Sequence, residues 1–232
     1  MITKGNLHPL TQMMRKAADI FYELGFDIVE GPEIEDEWHN FDSLNIPASH
    51  PSRDIQDTFW LTDGNLLRTH TSAEQVRAME NRKPPVRIIV PGRCFRHEAT
   101  DATHEANFFQ LEGFMIDRKV TMAHLIGTLE YFTQKIFGKD IKIRFTPSYY
   151  PFGEPGMDMA IWWDKNRKEG KWLEILGSGM IHPVVLKNMK VDPQVWSGFA
   201  FGMGIDRLMM LKTGVKDIRL SYQNDLRFLK QF

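Results

Sequence analysis

The chain has 232 residues, 42% of them apolar, which is enough for a substantial core and within the range of one large domain. Its 29 basic and 30 acidic side chains leave a net charge of −1, which excludes a global positive field for holding a nucleic-acid backbone and makes such contact depend on a local patch or a partner. A single cysteine, Cys94, excludes an intrachain disulfide; no Cys/His series has zinc spacing and no apolar run of roughly twenty residues exists, so a reduced, cytoplasmic, membrane-free setting is expected.

Pro9 opens a stretch in which Leu10, Met13, Met14, Ala17, Ile20, Phe21 and Leu24 recur at helical spacing, with Gly25 placed to end it. Residues 26–29 form a short strand-like run stopped by Gly31 and Pro32. Residues 59–62 and 66–69 flank Asp63 and Gly64, a hairpin signal. A second helix is predicted from Ser72, with Gln75 in capping-box spacing, to a point before Pro84 and Pro85.

Strand formers then concentrate at 86–90 and 108–116. The clearest helix follows, from Thr121 to Gly138, with Met122, Leu125, Leu129, Phe132 and Ile136 on one face. Further strands are predicted at 141–145, 157–163 and 172–176. Strands mostly follow strands without a helix between them, which predicts an α+β fold with a mostly antiparallel sheet flanked by helices. No Pro/Ser-rich linker, repeat or low-complexity tract divides the chain, so one domain over 1–232 is expected.

There is no P-loop, and Gly202-Met203-Gly204 lacks the third glycine of a dinucleotide-binding turn. Nucleotide chemistry has to come from other groups. In Phe95-Arg96-His97-Glu98, Arg96 and Glu98 fall on one face if the segment is a strand. Such a pair can grip a phosphate and accept from an amino group, or be an ordinary surface ion pair. The run from Gly198 to Arg207 passes from a glycine-rich strand to a helix, which admits close approach of a ligand or simply tight strand–helix packing.

Taken in order, these segments resemble the three signature motifs of class II aminoacyl-tRNA synthetases: motif 1 at about 24–34, motif 2 at about 93–112 and motif 3 at about 198–211. Further strings are similar to alpha subunits of bacterial phenylalanyl-tRNA synthetases. They are Asn40-Phe41-Asp42-Ser43-Leu44-Asn45-Ile46-Pro47, Asp57-Thr58-Phe59-Trp60, Arg68-Thr69-His70-Thr71-Ser72, Tyr149-Tyr150-Pro151-Phe152-Gly153-Glu154-Pro155 and the C-terminal stretch from Asn224 to Phe232. The resemblance runs nearly end to end.

It implies the class II catalytic fold and ATP-dependent activation of L-phenylalanine to phenylalanyl-adenylate, followed by transfer to tRNA(Phe) with a beta subunit in an alpha2beta2 assembly. A homodimer is the other expected assembly. By the same resemblance Arg96 binds the alpha-phosphate, Glu98 meets the adenine amino group, Phe108 stacks on the base, Arg207 stacks on the other face or neutralises the terminal phosphate, and His104 reaches the pyrophosphate.

Trp60, His70, Ser72, Gln110 and Glu112 are expected around the amino-acid ammonium and carboxylate, and Tyr150, Phe152 and Ala200 around its side chain. Ser72 is equally a helix N-cap, and His70, Trp60 and the aromatic pair equally core residues. Glu154 is the expected magnesium ligand, shared with the beta subunit.

Three positions depart from the family's commoner residues: Tyr150 where phenylalanine is more frequent, Gly153 for threonine or valine, and Ser178 for cysteine. They leave tyrosine or a bulkier analogue open as substrate. No heptad pattern precedes His8, so the family's coiled-coil tRNA-contacting arm is expected to be missing and charging to need a partner. A noncatalytic regulatory or assembly paralogue, and activation for a non-tRNA acceptor, are the competing expectations.

Overall fold

The computed structural model describes residues 5–54, 57–163 and 170–232. Helix α1 (Pro9–Glu23) begins where the His8 imidazole accepts from the Leu10 amide and proline fills the first turn, and it ends at Gly25, whose φ of +78° suits a residue without Cβ. Its buried stripe of Leu10, Met13, Ala17, Ile20 and Phe21 is the one the spacing predicts.

Next come strands β1 (Asp27–Ile28) and β2 (Ile34–Glu35), the one-turn helix α2 (Glu37–Asn40), strand β3 (Leu66–Leu67) and helix α3 (Ala73–Met79). They are followed by β4 (Val86–Phe95), β5 (Asn107–Asp117), helix α4 (Met122–Phe137), β6 (Ile143–Tyr150), β7 (Gly153–Trp163), β8 (Lys171–Ile181), helix α5 (Pro183–Asn188), β9 (Ser197–Gly204), helix α6 (Ile205–Thr213) and the short α7 (Leu226–Leu229).

Seven strands form one sheet in the order β1-β4-β5-β9-β8-β7-β6. All neighbours are antiparallel except β1, which runs parallel to β4. The predicted hairpin forms around a bridge between Trp60 and Leu66, with the Leu67 amide donating to the Phe59 carbonyl at 2.9 Å and the Leu61 amide to the Asn65 carbonyl at 2.8 Å, and β3 pairs with β2 on its other edge.

The two-residue period of the strands sorts the core into two layers. Ile89, Leu111, Phe199, Phe201 and Met203 face α1, α4 and α6; Ile88, Val90, Phe114, Ile116 and Ala200 face the opposite side, with Phe41, Leu44, Val76, Met79, Val185 and Leu186. In the first layer Phe21 stacks on Phe132 and Phe201 at centroid distances of 4.8 and 5.0 Å. Truncating one such fully buried ring typically costs ~3–5 kcal/mol. The second layer stops short of the ends of β5, β8 and β9, and there the sheet face is open.

Candidate active site

That open face is the floor of a cleft of about 950 Å³. On β5 the residues Phe108, Gln110 and Glu112 alternate with the core-facing Leu111, so all three point into the cleft at steps of roughly 7 Å. Opposite them, β9 offers Ala200, Gly202 and Gly204, with Gln110 in register with Gly204 and Glu112 with Gly202. A Cβ at Gly202 would lie 2.7 Å from Gln110 Nε2 and 3.1 Å from Glu112 Oε2, so the glycine leaves space for both side chains to lie across the strand.

Glu112 is 3% exposed and is the focus of the polar network. It accepts from Ser72 Oγ at 2.6 Å, from Gln110 Nε2 at 3.1 Å and from Gln75 Nε2. Burial pushes its carboxyl up to about 7 against the pull of those three donors. The capping box expected at Ser72 therefore does not form. Ser72 has helical backbone angles, makes no cap hydrogen bond, and turns its hydroxyl to Glu112, to which Gln75 one turn later also donates from its side-chain amide Nε2.

His70 lines the same cleft, with both ring nitrogens shut off from solvent. Burial and the nearby Arg96 charge hold its pKa down at about 3, so it is a neutral imidazole.

Arg96 and Glu98 do not sit on a strand, since β4 ends at Phe95, and the same-face argument from strand parity does not apply to them. Arg96 is held by long-range contacts. Its Nε donates to the Thr69 carbonyl at 3.1 Å and its guanidinium lies 5.0 Å from the centre of the Phe108 ring. The 69–72 segment is pinned in turn by Arg68, which is buried and donates to the carbonyls of Gly31, Pro32 and Arg93.

Glu98 and His104 lie exposed on the loop that follows and also line the cleft. His104 is steadied by Asp101, which accepts from the Thr103 and His104 amides; these bonds hold the Asp101 carboxyl well below its usual range. Arg207, at the start of α6, is exposed at the cleft and donates from Nε to the Glu174 carbonyl at 2.9 Å.

Tyr150 and Phe152 stack at 5.4 Å beside Ala200 and the Gly177-Ser178-Gly179 stretch of β8. Two expected residues stand elsewhere. Trp60 lies outside the cleft lining and packs near Phe41 in the second core, its Nε1 donating to the Arg53 carbonyl. Glu154 is an exposed carboxylate 3.3 Å from His182 Nε2, also outside the lining.

Sequence reasoning missed Gln75, Glu174 and Asp206. Gln75 was legible from its i, i+3 relation to Ser72, which puts both on one helix face. Asp206 is buried beside Arg207 and anchors the motif by accepting from the Phe109 amide and the Tyr222 hydroxyl; only the fold brings those two partners together.

The chain is similar to the phenylalanine–tRNA ligase alpha subunit of Xylella fastidiosa (strain 9a5c), 49% identical over 99% of this chain and 68% of that protein. It is also similar to that of Proteus mirabilis (strain HI4320), 52% identical over 100% of this chain and 69% of that protein. Among solved structures, the pyrrolysyl-tRNA synthetase of Desulfitobacterium hafniense shares the fold with a TM-score of 0.71 at 19% identity, over 95% of this chain and 75% of that one. Residues 1–232 match the family described as tRNA synthetases class II core domain (F). The chain belongs to that family.

Proposed function

We infer that this chain is the catalytic alpha subunit of a phenylalanine–tRNA ligase, activating L-phenylalanine with ATP and passing it to tRNA(Phe) in company with a beta subunit. The observation that carries the reading is the graded cleft floor on β5 and β9. Arg96 and Phe108 stand at one end, the Glu112 network in the middle, and Ala200 with the Tyr150–Phe152 pair at the other.

A nucleotide fits the first region: the guanidiniums of Arg96 and Arg207 meet phosphate, Phe108 the base, Glu98 its amino group and His104 the departing pyrophosphate. An ammonium fits the second, where Glu112, held by Ser72, Gln75 and Gln110, supplies negative charge, with the neutral His70 ring alongside. An aromatic ring fits the third.

The chemistry asked of these residues is positioning and charge neutralisation for attack of the amino-acid carboxylate on the alpha-phosphorus. Arg96 is held by the Thr69 carbonyl, Arg207 by the Glu174 carbonyl and Glu112 by Ser72, Gln75 and Gln110, so these groups are positioned before the reaction. The chain functions on this reading as one catalytic domain over 1–232, in the cytoplasm where its substrates are.

Magnesium enters with ATP. The cleft carboxylate suited to it is Glu174, beside Arg207; a hard cation bound to phosphates needs only one or two protein carboxylates. Glu154 does not fit that position, lying outside the lining against His182, but as an exposed carboxylate it suits an ion shared with another chain. Ile28, Ile34 and Trp38, exposed in and after the motif 1 segment, suit a partner interface.

The test is phenylalanine-dependent ATP–pyrophosphate exchange by the chain with its beta subunit, run against tyrosine and other amino acids. Exchange is expected with phenylalanine, and Arg96→Ala or Arg207→Ala should lower it at least about a hundredfold. Phenylalanine binding without ATP binding, measured by calorimetry, would sink the reading in favour of a noncatalytic paralogue.

A further inference from the structure

Tyr150 brings a hydroxyl to the side-chain end of the cleft, and the structure shows where it goes. The ring lies across β7 and β8. A Cβ on Gly156 would come within 3.0 Å of Tyr150 Cδ2, and one on Gly177 within 2.3 Å of the hydroxyl oxygen, so the phenol rests on two glycines whose lack of a side chain makes the seat. At the end of the seat the hydroxyl donates to Asp158 Oδ1 at 2.5 Å.

The sheet register sets this up: Asp158 on β7 is paired with Gly177 on β8, so the carboxylate stands beside the glycine that the phenol overlies. Asp158 is half-buried and is not part of the cleft lining, whereas Tyr150 is. The hydroxyl thus lies over Gly177, a cleft-lining residue, with its proton turned to Asp158, and the ring stands stacked 5.4 Å from Phe152.

We propose that Asp158 is a specificity-determining positioning residue: by accepting the Tyr150 hydroxyl over Gly177 it fixes the ring as an apolar wall of the amino-acid pocket and withholds the hydroxyl from the substrate. The proposal rests on the phenylalanine-activating reading and deepens it. A phenol has one proton to donate, and that proton is committed to a carboxylate, a stronger acceptor than a neutral ligand oxygen. The burial and the neighbouring carboxylate that push the Tyr150 hydroxyl well above its usual pKa keep that proton in place over the working range of pH.

Without Asp158, the hydroxyl is left half-buried beside glycine backbone with no charged acceptor, and the ring has a reason to turn toward the cleft. Phenylalanine then meets a misplaced wall. A substrate with a para-oxygen meets a free donor. The site so built selects a bare phenyl ring even though its wall is a tyrosine.

The test uses the assembled enzyme with its beta subunit and measures exchange kinetics for phenylalanine and tyrosine at saturating ATP, together with the KM for ATP. Asp158→Ala is expected to raise the KM for phenylalanine about tenfold and to lower the phenylalanine-over-tyrosine preference in kcat/KM by at least as much, with the KM for ATP unchanged. Asp158→Asn, which keeps an acceptor oxygen, should restore both toward the unmodified values. Tyr150→Phe should raise the KM for phenylalanine without the loss of preference, and adding Asp158→Ala to it should change nothing more.

An Asp158→Ala enzyme with unaltered KM and preference overturns the proposal. If that variant does not fold, a Tyr150→Phe enzyme with unaltered KM overturns it instead. Absence of phenylalanine-dependent exchange in the unmodified enzyme overturns the functional reading and this inference with it, so the two failures are told apart by the first measurement.

Discussion

Glu112 has an ambiguous charge built into it. A carboxylate that is to hold a substrate ammonium must be ionised, yet burial holds this one at about 7, above its ordinary 4.5, despite three hydrogen-bond donors. Below that value the group carries a proton and is a poor partner for a cation; above it the charge is present. The KM for phenylalanine is therefore expected to fall as pH rises through about 7, and Glu112→Gln should raise KM and flatten the profile. Exchange kinetics from about one unit below to one unit above that value check it. A profile unchanged by Glu112→Gln would separate this carboxylate from ammonium binding.

At the scale of elements, α1 and α4 were legible because their signals are local. Each has an apolar stripe at helical spacing and a glycine at its end, Gly25 and Gly138, and α4 has the His124 imidazole accepting from the Thr121 amide at its start. Four strands, β4, β6, β7 and β8, were read too short, for two reasons. The extension of β6 through Pro147 is on the free edge of the sheet, where a missing amide costs no ladder bond and neither face needs to be apolar. β4 runs on through Pro91 and Gly92 beyond the reach of β1, so it too has a free side there.

Gly177, Ser178 and Gly179 of β8, and Gly153 and Gly156 of β7, fall outside the predicted strands because such small residues carry little strand signal. They are strand in which glycines leave room, along the stretch where Tyr150 lies and the cleft opens. Site residues behaved likewise: the local signals at Ser72 and at Arg96–Glu98 gave way to partners 40 and 27 residues away, Glu112 and Thr69. Where composition served ligand space, propensity was a poor guide.

Helix α3 carries a second buried carboxyl with no such role. Glu74 is 4% exposed, its Oε2 has no hydrogen-bond partner among the described residues, and burial together with the charge of Glu35 pushes it up to about 7. Glu35 itself has Arg77 as partner. Below about 4.5 Glu74 is neutral folded and unfolded, and contributes nothing to pH dependence. Between that value and about 7 the unfolded chain ionises while the folded chain keeps the proton, so stability falls with rising pH and stays lowered above. Glu74→Gln removes the difference. It is expected to leave stability unchanged in acid and to add roughly 1–2 kcal/mol above neutrality, about 3–6 °C in Tm. Thermal unfolding followed as a function of pH tests both the sign and the window.

For the molecule as a whole, charge decides what the chain does with tRNA. The balance of 29 basic against 30 acidic side chains gives it no general attraction for a polyanion. Arg82, Lys83 and Arg87 gather at a groove of about 510 Å³ near β1 and β4, but Asp27 and Asp117 line the same groove and Arg82 is 3.4 Å from the Asp27 carboxylate, so the local field is partly cancelled. The cleft's own cations, Arg96 and Arg207, are turned to a nucleotide-sized space. Adenylate formation asks for none of the missing charge, since both substrates are small and each cleft contact is supplied from within the chain. Transfer does ask for it. This chain alone should therefore bind tRNA(Phe) weakly, with an affinity that barely changes with salt because few phosphate counterions are released. With the beta subunit, binding should be tight and log K should fall steeply with log salt. Filter binding across a salt series, for the chain with and without the beta subunit, distinguishes the two; a steep salt slope for the chain alone would mean that its own surface carries the tRNA.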